Sequence, residues 1–170
     1  YAAVRQETVY VDAETGDDAN DGTVPATAKR TLAEALAFVA ENGRVVVAPG
    51  DYEETLSFIP VANVTLAGAG PDLTRLLGRR GTAGCGVINL ASTNTVVEGV
   101  SVSGGDVGVL VLGKGPGEGT AMFKGMVSNC VVQANGAGFA MRSTFARQKQ
   151  FYVATHCRIV ANDGAGVSSG

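Results

Sequence analysis

Tryptophan is absent, histidine occurs once (His156), and the 170 residues hold three cysteines, Cys85, Cys130 and Cys157. Three thiols cannot all pair with one another, and none stands in a Cys-x-x-Cys or Cys/His spacing. Neither a disulfide framework nor a zinc site is supported, and reduced, buried thiols are expected. Charge is also scarce: charged residues make up 17% of the chain, the net charge is −3 and the sequence pI is near 5.1. Binding nucleic acid takes clustered Lys and Arg to displace counterions, so no nucleic-acid partner is expected. There is no run of about 18 apolar residues, and no membrane span is expected. The opening YAAVRQETVY has no basic segment followed by an apolar core, so no signal peptide is read. A start at Tyr1 and a stop at VSSG suggest a trimmed piece of something longer.

What is present is apolar residues, at 45%, and 24 glycines spread along the whole length rather than gathered in one linker. That composition belongs to a folded chain of one domain, long enough to bury a core. Amphipathic helical spacing is clear only in TLAEALAFVA (31–40), where Leu32, Ala35, Leu36 and Val39 share one face and Glu34 lies on another. Thr31 followed by Glu34 fits a capping box, and Asn42-Gly43 predicts the C-terminal stop. Beyond residue 44 no helical period holds over ten residues.

The chain repeats itself instead. Residues 96–111 laid over 126–141 at an offset of 30 place Gly99 on Asn129, Val100 on Cys130, Val102 on Val132 and Gly108 on Gly138. An offset of 27 carries Cys130 onto Cys157, Val132 onto Ile159 and Asn135 onto Asn162, and one extra residue, Asp163, then brings Gly138 onto Gly166. NVTLAG (63–68) falls on NTVVEG (94–99) at an offset of 31. Within each unit, short alternating apolar runs break at glycine or asparagine, the pattern of strand, turn and strand. A coil of short strands follows, each turn stacked on the last about 4.8 Å away. Val100, Cys130 and Cys157 should form one buried column, Val102, Val132 and Ile159 another, with Asn135 and Asn162 stacked at a bend. RSTFARQKQ (142–150) reads as an outer loop. An open coil needs a cap, and the 31–40 helix supplies one. The expected division is residues 1–43 for strand, acidic loop and capping helix, and 44–170 for the coils.

The succession VYVDAETGDDANDGT, TLAEALAFV, RVVVAPGDYEETL and NVTLAGAGPDLTRLLG resembles the opening of the pectin lyase-like superfamily, closely over residues 8–78 and more loosely to 170. The resemblance implies an all-β fold: a single-stranded, right-handed parallel β-helix, a solenoid of three sheets with an N-terminal capping α-helix. Fold is implied more firmly than activity. Members include pectate lyases, pectin methylesterases, bacterial surface proteins and phage tailspikes and fibres.

GDYEE (50–54) and QFYVATHCRI (150–159) are similar to elements of the methylesterases, but GFAMRSTFARQK (138–149) contains no acid to serve as their catalytic aspartate pair. Lyases remove a proton with a basic side chain beside Ca²⁺. Arg142, Arg147, Lys149 and Arg158 lie near one loop and one outward strand position, and with Tyr152 at the rim they are the candidate substrate-binding residues. No catalytic residue is assigned, and no paired carboxylates stand at matching positions on adjacent turns. Phe139 aligns with Val109 and belongs to the core, and His156, aligned with Asn129, to a bend. Asp17, Asp18, Asn20 and Asp21 offer oxygen ligands of the kind calcium takes, without EF-hand spacing, so a turn is expected there and Ca²⁺ is the alternative. No other cofactor or metal is expected.

The resulting expectation is a non-catalytic module of the tailspike or fibre kind on an extracellular or virion surface. It would bind a polysaccharide, a cell-surface glycan or neighbouring subunits, and self-associate as a trimer. The alternative is a pectate lyase-like or pectin methylesterase-like enzyme.

Overall fold

The computed structural model describes residues 5–54, 62–81, 86–90, 92–113, 122–143, 149–164 and 166–169. Strand β1 (Gln6–Val11) leads through a short 3-10 turn (Pro25–Thr27) to helix α1 (Leu32–Phe38). Then follow β2 (Val39–Val47), β3 (Gly50–Tyr52), β4 (Thr65–Gly68), β5 (Thr74–Leu77), β6 (Gly86–Leu90), β7 (Thr95–Glu98), β8 (Ser101–Ser103) and β9 (Val107–Gly113). The rest are β10 (Met122–Ser128), β11 (Val131–Gln133), β12 (Ala137–Ser143), β13 (Lys149–Thr155), β14 (Arg158–Val160) and β15 (Val167–Ser169).

The molecule is mostly β, and among the described residues every strand pairing is parallel. The first sheet runs β1-β2-β4-β7-β10-β13, the second β3-β5-β8-β11-β14 and the third β6-β9-β12-β15. From β4 onward the chain visits first, second and third sheet in rotation, and each strand except β6, which starts the third sheet, pairs with its counterpart one round earlier.

The register is the one the repeats predicted. Leu66 pairs with Val97 at an offset of 31, Met126 with Val96 at 30 and Val153 with Met126 at 27. Past the extra Asp163, Phe139 pairs with Val167. The repeat also extends further forward than the sequence revealed, since Val45 pairs with Leu66 at an offset of 21.

Alternation along these strands builds the core. Val9, Val45, Leu66, Val97 and Val127 form a column through the first sheet, each at most 1% exposed. In the second sheet Tyr52, Leu76, Val102, Val132 and Ile159 stack likewise, and in the third Ile88, Val109 and Phe139. All three columns belong to one hydrophobic cluster. Each buried aliphatic contributes roughly 1.5–3 kcal/mol, so one column outweighs all the exposed ion pairs together.

The expected cysteine and asparagine columns are present. Cys130 is buried and Cys157 half-buried; both are free thiols, donating to the Ser128 and Thr155 carbonyls respectively. Burial pushes the Cys130 thiol up to about 11, which makes it an inert core residue at neutral pH. Asn135 Oδ1 accepts from the Gly105 N–H at 3.0 Å, and its Nδ2 donates to the Val102 and Gln133 carbonyls at 3.1 and 2.9 Å. Asn162 continues the pattern: its Oδ1 accepts from the Asn135 N–H at 3.0 Å and its Nδ2 donates to the Val132 carbonyl. Bends repeat too, with left-handed backbone at Gly99, Asn129 and His156 and again at Gly104, Ala134 and Ala161.

At the front end Leu32, Ala35, Leu36 and Val39 are buried as the helical spacing required. The helix is shorter than expected, however, ending at Phe38. Asn42 and Gly43 do not stop it; Asn42, at φ 64°, sits in a bulge of β2 where the partner of Gln6 is Val39 and that of Thr8 is Arg44. Strand β2 therefore runs across the expected boundary between residues 43 and 44. Only half of the capping box forms. Thr31 Oγ1 accepts from the Glu34 N–H, but the Thr31 N–H is taken by Asp18, and Glu54 accepts from the N–H groups of Leu32 and Ala33.

Candidate functional site: the outer face of the first sheet

The outward side chains of the first sheet lie in two rows. One holds Arg44, Thr65, Val96, Met126 and Val153; the other holds Val46, Ala67, Glu98, Ser128 and Thr155. The third sheet offers no such face over Gly86–Leu90 and Val107–Val111, where every residue is buried. On the first sheet, by contrast, Met126 is 37% and Val153 54% exposed. Arg44 Nη2 reaches Glu98 Oε1 at 2.7 Å, two strands away, passing over Ala67, which is only 5% exposed. The early end of the face is thus closed by an ion pair and the late end is open and apolar.

A cleft of about 240 Å³ lies at the open end, lined by Asn94, Thr95, Val96, Gly125 and Met126. Its border is set by a second amide ladder: Asn94 Nδ2 donates to Asn63 Oδ1 at 2.9 Å, and Asn63 Nδ2 to Glu41 Oε1 at 3.2 Å. Both asparagines take left-handed backbone, a conformation Asn tolerates better than other side chains do. Gly125 leaves room that the Tyr152 ring fills from the next strand; a Cβ at Gly125 would stand 2.2 Å from Tyr152 Cε1.

The sequence-predicted site residues are not brought together. Arg142 lies in β12 of the third sheet, Lys149 and Tyr152 in β13 of the first, and Arg158 in β14 of the second. Arg147 lies outside the described residues, as do the side chains of Arg142 and Lys149. Residues 142, 143, 149 and 150 are strand rather than loop, because pairing of β12 with β9 and of β13 with β10 continues through them. Arg158 is exposed, opposite Val131 on the outer side of the second sheet. Tyr152 is a correction: it pairs with Gly125, itself opposite the fully buried Thr95, so alternation sends its ring into the core and not to a rim. Its hydroxyl is buried without a hydrogen-bond partner, and burial pushes the phenol up to about 12.

Matched carboxylates do exist, two rounds apart. The backbone bonds of Ala137 to Asp106 and of Gly164 to Gly136 put Asp106, Gly136 and Asp163 at one corner. Sequence alignment of adjacent units skips this pair because glycine stands between. Asp106 accepts from the Gly81 N–H at 3.0 Å and Asp163 is held by Arg80, so both are committed to donors. Among the described residues no three His, Cys, Asp or Glu side chains gather as a metal centre, and no helix is long and apolar enough to cross a membrane.

In the acidic loop the carboxylates serve as turn acceptors. Asp12 accepts from the Glu14 and Thr15 N–H groups, Asp17 from Ala19, Asp18 from Arg30 and Thr31, and Asp21 from the Thr23 N–H and the Thr23 and Thr27 hydroxyls. The Thr15 N–H holds Asp12 below the ordinary carboxylate value, and the Thr23 N–H and Thr27 hydroxyl do the same for Asp21. Burial pulls Asp18 up, but Thr31, Arg30 and the Lys29 charge outweigh it and the net shift is also downward. A carboxylate lowered by folding stabilises the fold above its unfolded value and gives that up as pH falls through its folded value. Thermal midpoints should therefore hold above pH ~5 and drop below the ordinary value of 3.8, less steeply in Asp18→Asn, which starts lower. A midpoint that rises on acidification would contradict these bonds.

No protein-family model matches the chain, and no curated protein or solved structure matches it either.

Proposed function

We propose that the three sheets wrap one core as a single-stranded, right-handed parallel β-helix of the pectin lyase-like kind, capped by α1. In this reading the chain is a non-catalytic module on an extracellular or virion surface, and the outer face of the first sheet is its binding platform. The observation that carries the reading is the open row Val96, Met126 and Val153 beside the Asn94 cleft. Parallel strands about 4.8 Å apart hold these side chains in a flat, rigid strip. Sugar rings have apolar faces and hydroxyl edges; the strip suits the faces, and Asn94, Ser128 and Thr155 suit the edges. Rigid presentation lowers the ordering cost of binding. The same strip suits a neighbouring subunit, and a trimer is the expected assembly.

Met126→Glu places a charge in the middle of the strip without touching the core. It should weaken binding to an immobilised polysaccharide panel at least ~10-fold, a loss of about 1.4 kcal/mol, with the melting temperature unchanged. Equal binding by wild type and variant would remove this face from consideration. The alternative is a lyase-like or methylesterase-like enzyme. New ultraviolet-absorbing unsaturated ends, or methanol released from a methylated uronate polymer, would establish it in place of the binding module.

A further inference from the structure

Lys29, the one lysine whose side chain is described, has no exposed surface, yet among the described residues its charge meets no carboxylate in an ion pair. Its Nζ donates to the carbonyl oxygens of Asn20 at 2.8 Å and Asp18 at 3.1 Å, and stands 3.8 Å from the centroid of the Phe38 ring. Two carbonyls and a ring face account for the three N–H directions of an ammonium group. The stem enters past Gly22, where a Cβ would come within 2.9 Å of Val9 and 3.4 Å of the Lys29 stem itself. Its backbone is fixed as well: the Lys29 N–H donates to the Tyr10 carbonyl, and its carbonyl accepts from Asp12, each at 2.9 Å. The Asp18 and Asp21 carboxylates turn outward to N–H and hydroxyl groups and surround this seat with negative charge without touching it.

We propose that the acidic loop is a cation site whose cation is built in: the Lys29 ammonium occupies the seat formed by the Asp18 and Asn20 carbonyls and the Phe38 ring. Backbone carbonyls pointing inward in a loop of hard oxygen donors are what a bound metal ion would use. Here the covalently attached ammonium takes that place. It needs no free ion, so the loop closes over β1 at any calcium concentration. The seat takes primary ammonium groups, which form directional N–H bonds to two carbonyls, and it refuses divalent ions, which would need carboxylate oxygens where both oxygens of Asp18 and Oδ1 of Asp21 already accept from N–H and hydroxyl groups.

Chemical rescue tests this. Lys29→Ala empties the seat, and Lys29→Met keeps the stem's bulk without its charge. Both should melt at least ~5 °C below wild type, a shift of the size one or two lost buried polar contacts give in a chain of this length. Propylammonium chloride should recover a large part of that loss in Lys29→Ala, relative to tetramethylammonium chloride at equal ionic strength, and none of it in Lys29→Met. Millimolar calcium or a chelator should leave the wild-type midpoint in place. If Lys29→Ala folds only in the presence of the amine, the amine dependence of folding gives the same answer. The proposal is overturned by a Lys29→Met midpoint equal to wild type, by a propylammonium effect no larger than the control salt's, or by a calcium-dependent rise in wild type that Asp21→Asn removes.

Discussion

Replacing Asn135 by alanine is expected to cost about 3 kcal/mol of folding free energy, read as a lower denaturant midpoint at unchanged slope. The side chain has no exposed surface and bonds three rungs at once: the Gly105 N–H and Val102 carbonyl one round earlier, the Gln133 carbonyl in its own, and Asn162 in the next. Alanine leaves the Gly105 donor and the Val102 carbonyl buried, and the Gln133 carbonyl part-buried, with nothing to replace the amide. Each such orphan costs on the order of 1–3 kcal/mol, and the total is kept down only by relaxation or an entering water. Asn162→Ala is the internal control. Its amide reaches Val132 in the same way but is half-buried, so water can substitute and the expected cost is nearer ~1 kcal/mol. Equal losses for the two variants would mean that the ladder contributes through something other than buried bonds.

Gly68→Ala should be comparably damaging for a steric reason. A Cβ there would stand 2.3 Å from the Gly99 carbonyl oxygen, 2.6 Å from Val100 Cγ1 and 3.0 Å from Thr74 Cβ. The nearest of these is backbone, already accepting from the Gly70 N–H at 2.9 Å, so it cannot yield without breaking the pairing of the two rounds. Overpacking of this kind costs roughly 3 kcal/mol, or a melting-temperature loss of about 10 °C in a chain of this size. Gly166→Ala gives the contrast, since among the described residues the one atom near its Cβ is Ile159 Cγ2 at 3.7 Å, ordinary contact. It should melt within a degree or two of wild type. A Gly68→Ala protein that melts with Gly166→Ala would show that the rounds are less tightly apposed than the backbone indicates.

Much of the register was readable from the chain because stacked rungs face the same neighbours and so prefer the same residue types. Cys130 over Cys157 and Asn135 over Asn162 record that directly, and the corresponding backbone pairs agree. Tyr52, Leu76 and Val102 occupy one column with little likeness to each other, which hid the early rounds; an inward position asks only for an apolar side chain that fits. The candidate face was less legible still. Charge at Arg142, Arg147, Lys149 and Arg158 points to a loop, whereas the open strip is marked by nothing more than valine and methionine at outward positions. Whether a valine points in or out depends on parity within the strand, and parity needs an anchored register. Lys29 is hidden in the sequence for the opposite reason, since a lysine in a polar segment reads as solvated until its carbonyl partners, nine and eleven residues back, are placed around it.

The asparagine ladder also bears on how the protein ages. Asparagine followed by glycine is the sequence most prone to lose its amide spontaneously, because the unhindered glycine nitrogen attacks the side-chain carbonyl carbon. Asn135-Gly136 is such a pair. Its attacking nitrogen is occupied, donating to the Gly105 carbonyl at 2.9 Å, and its target amide is pinned on both atoms. The bonds that align the rungs therefore also shield the amide from its own backbone, and chemical wear should begin instead at pairs like Asn42-Gly43, where the asparagine lies exposed on a bulge.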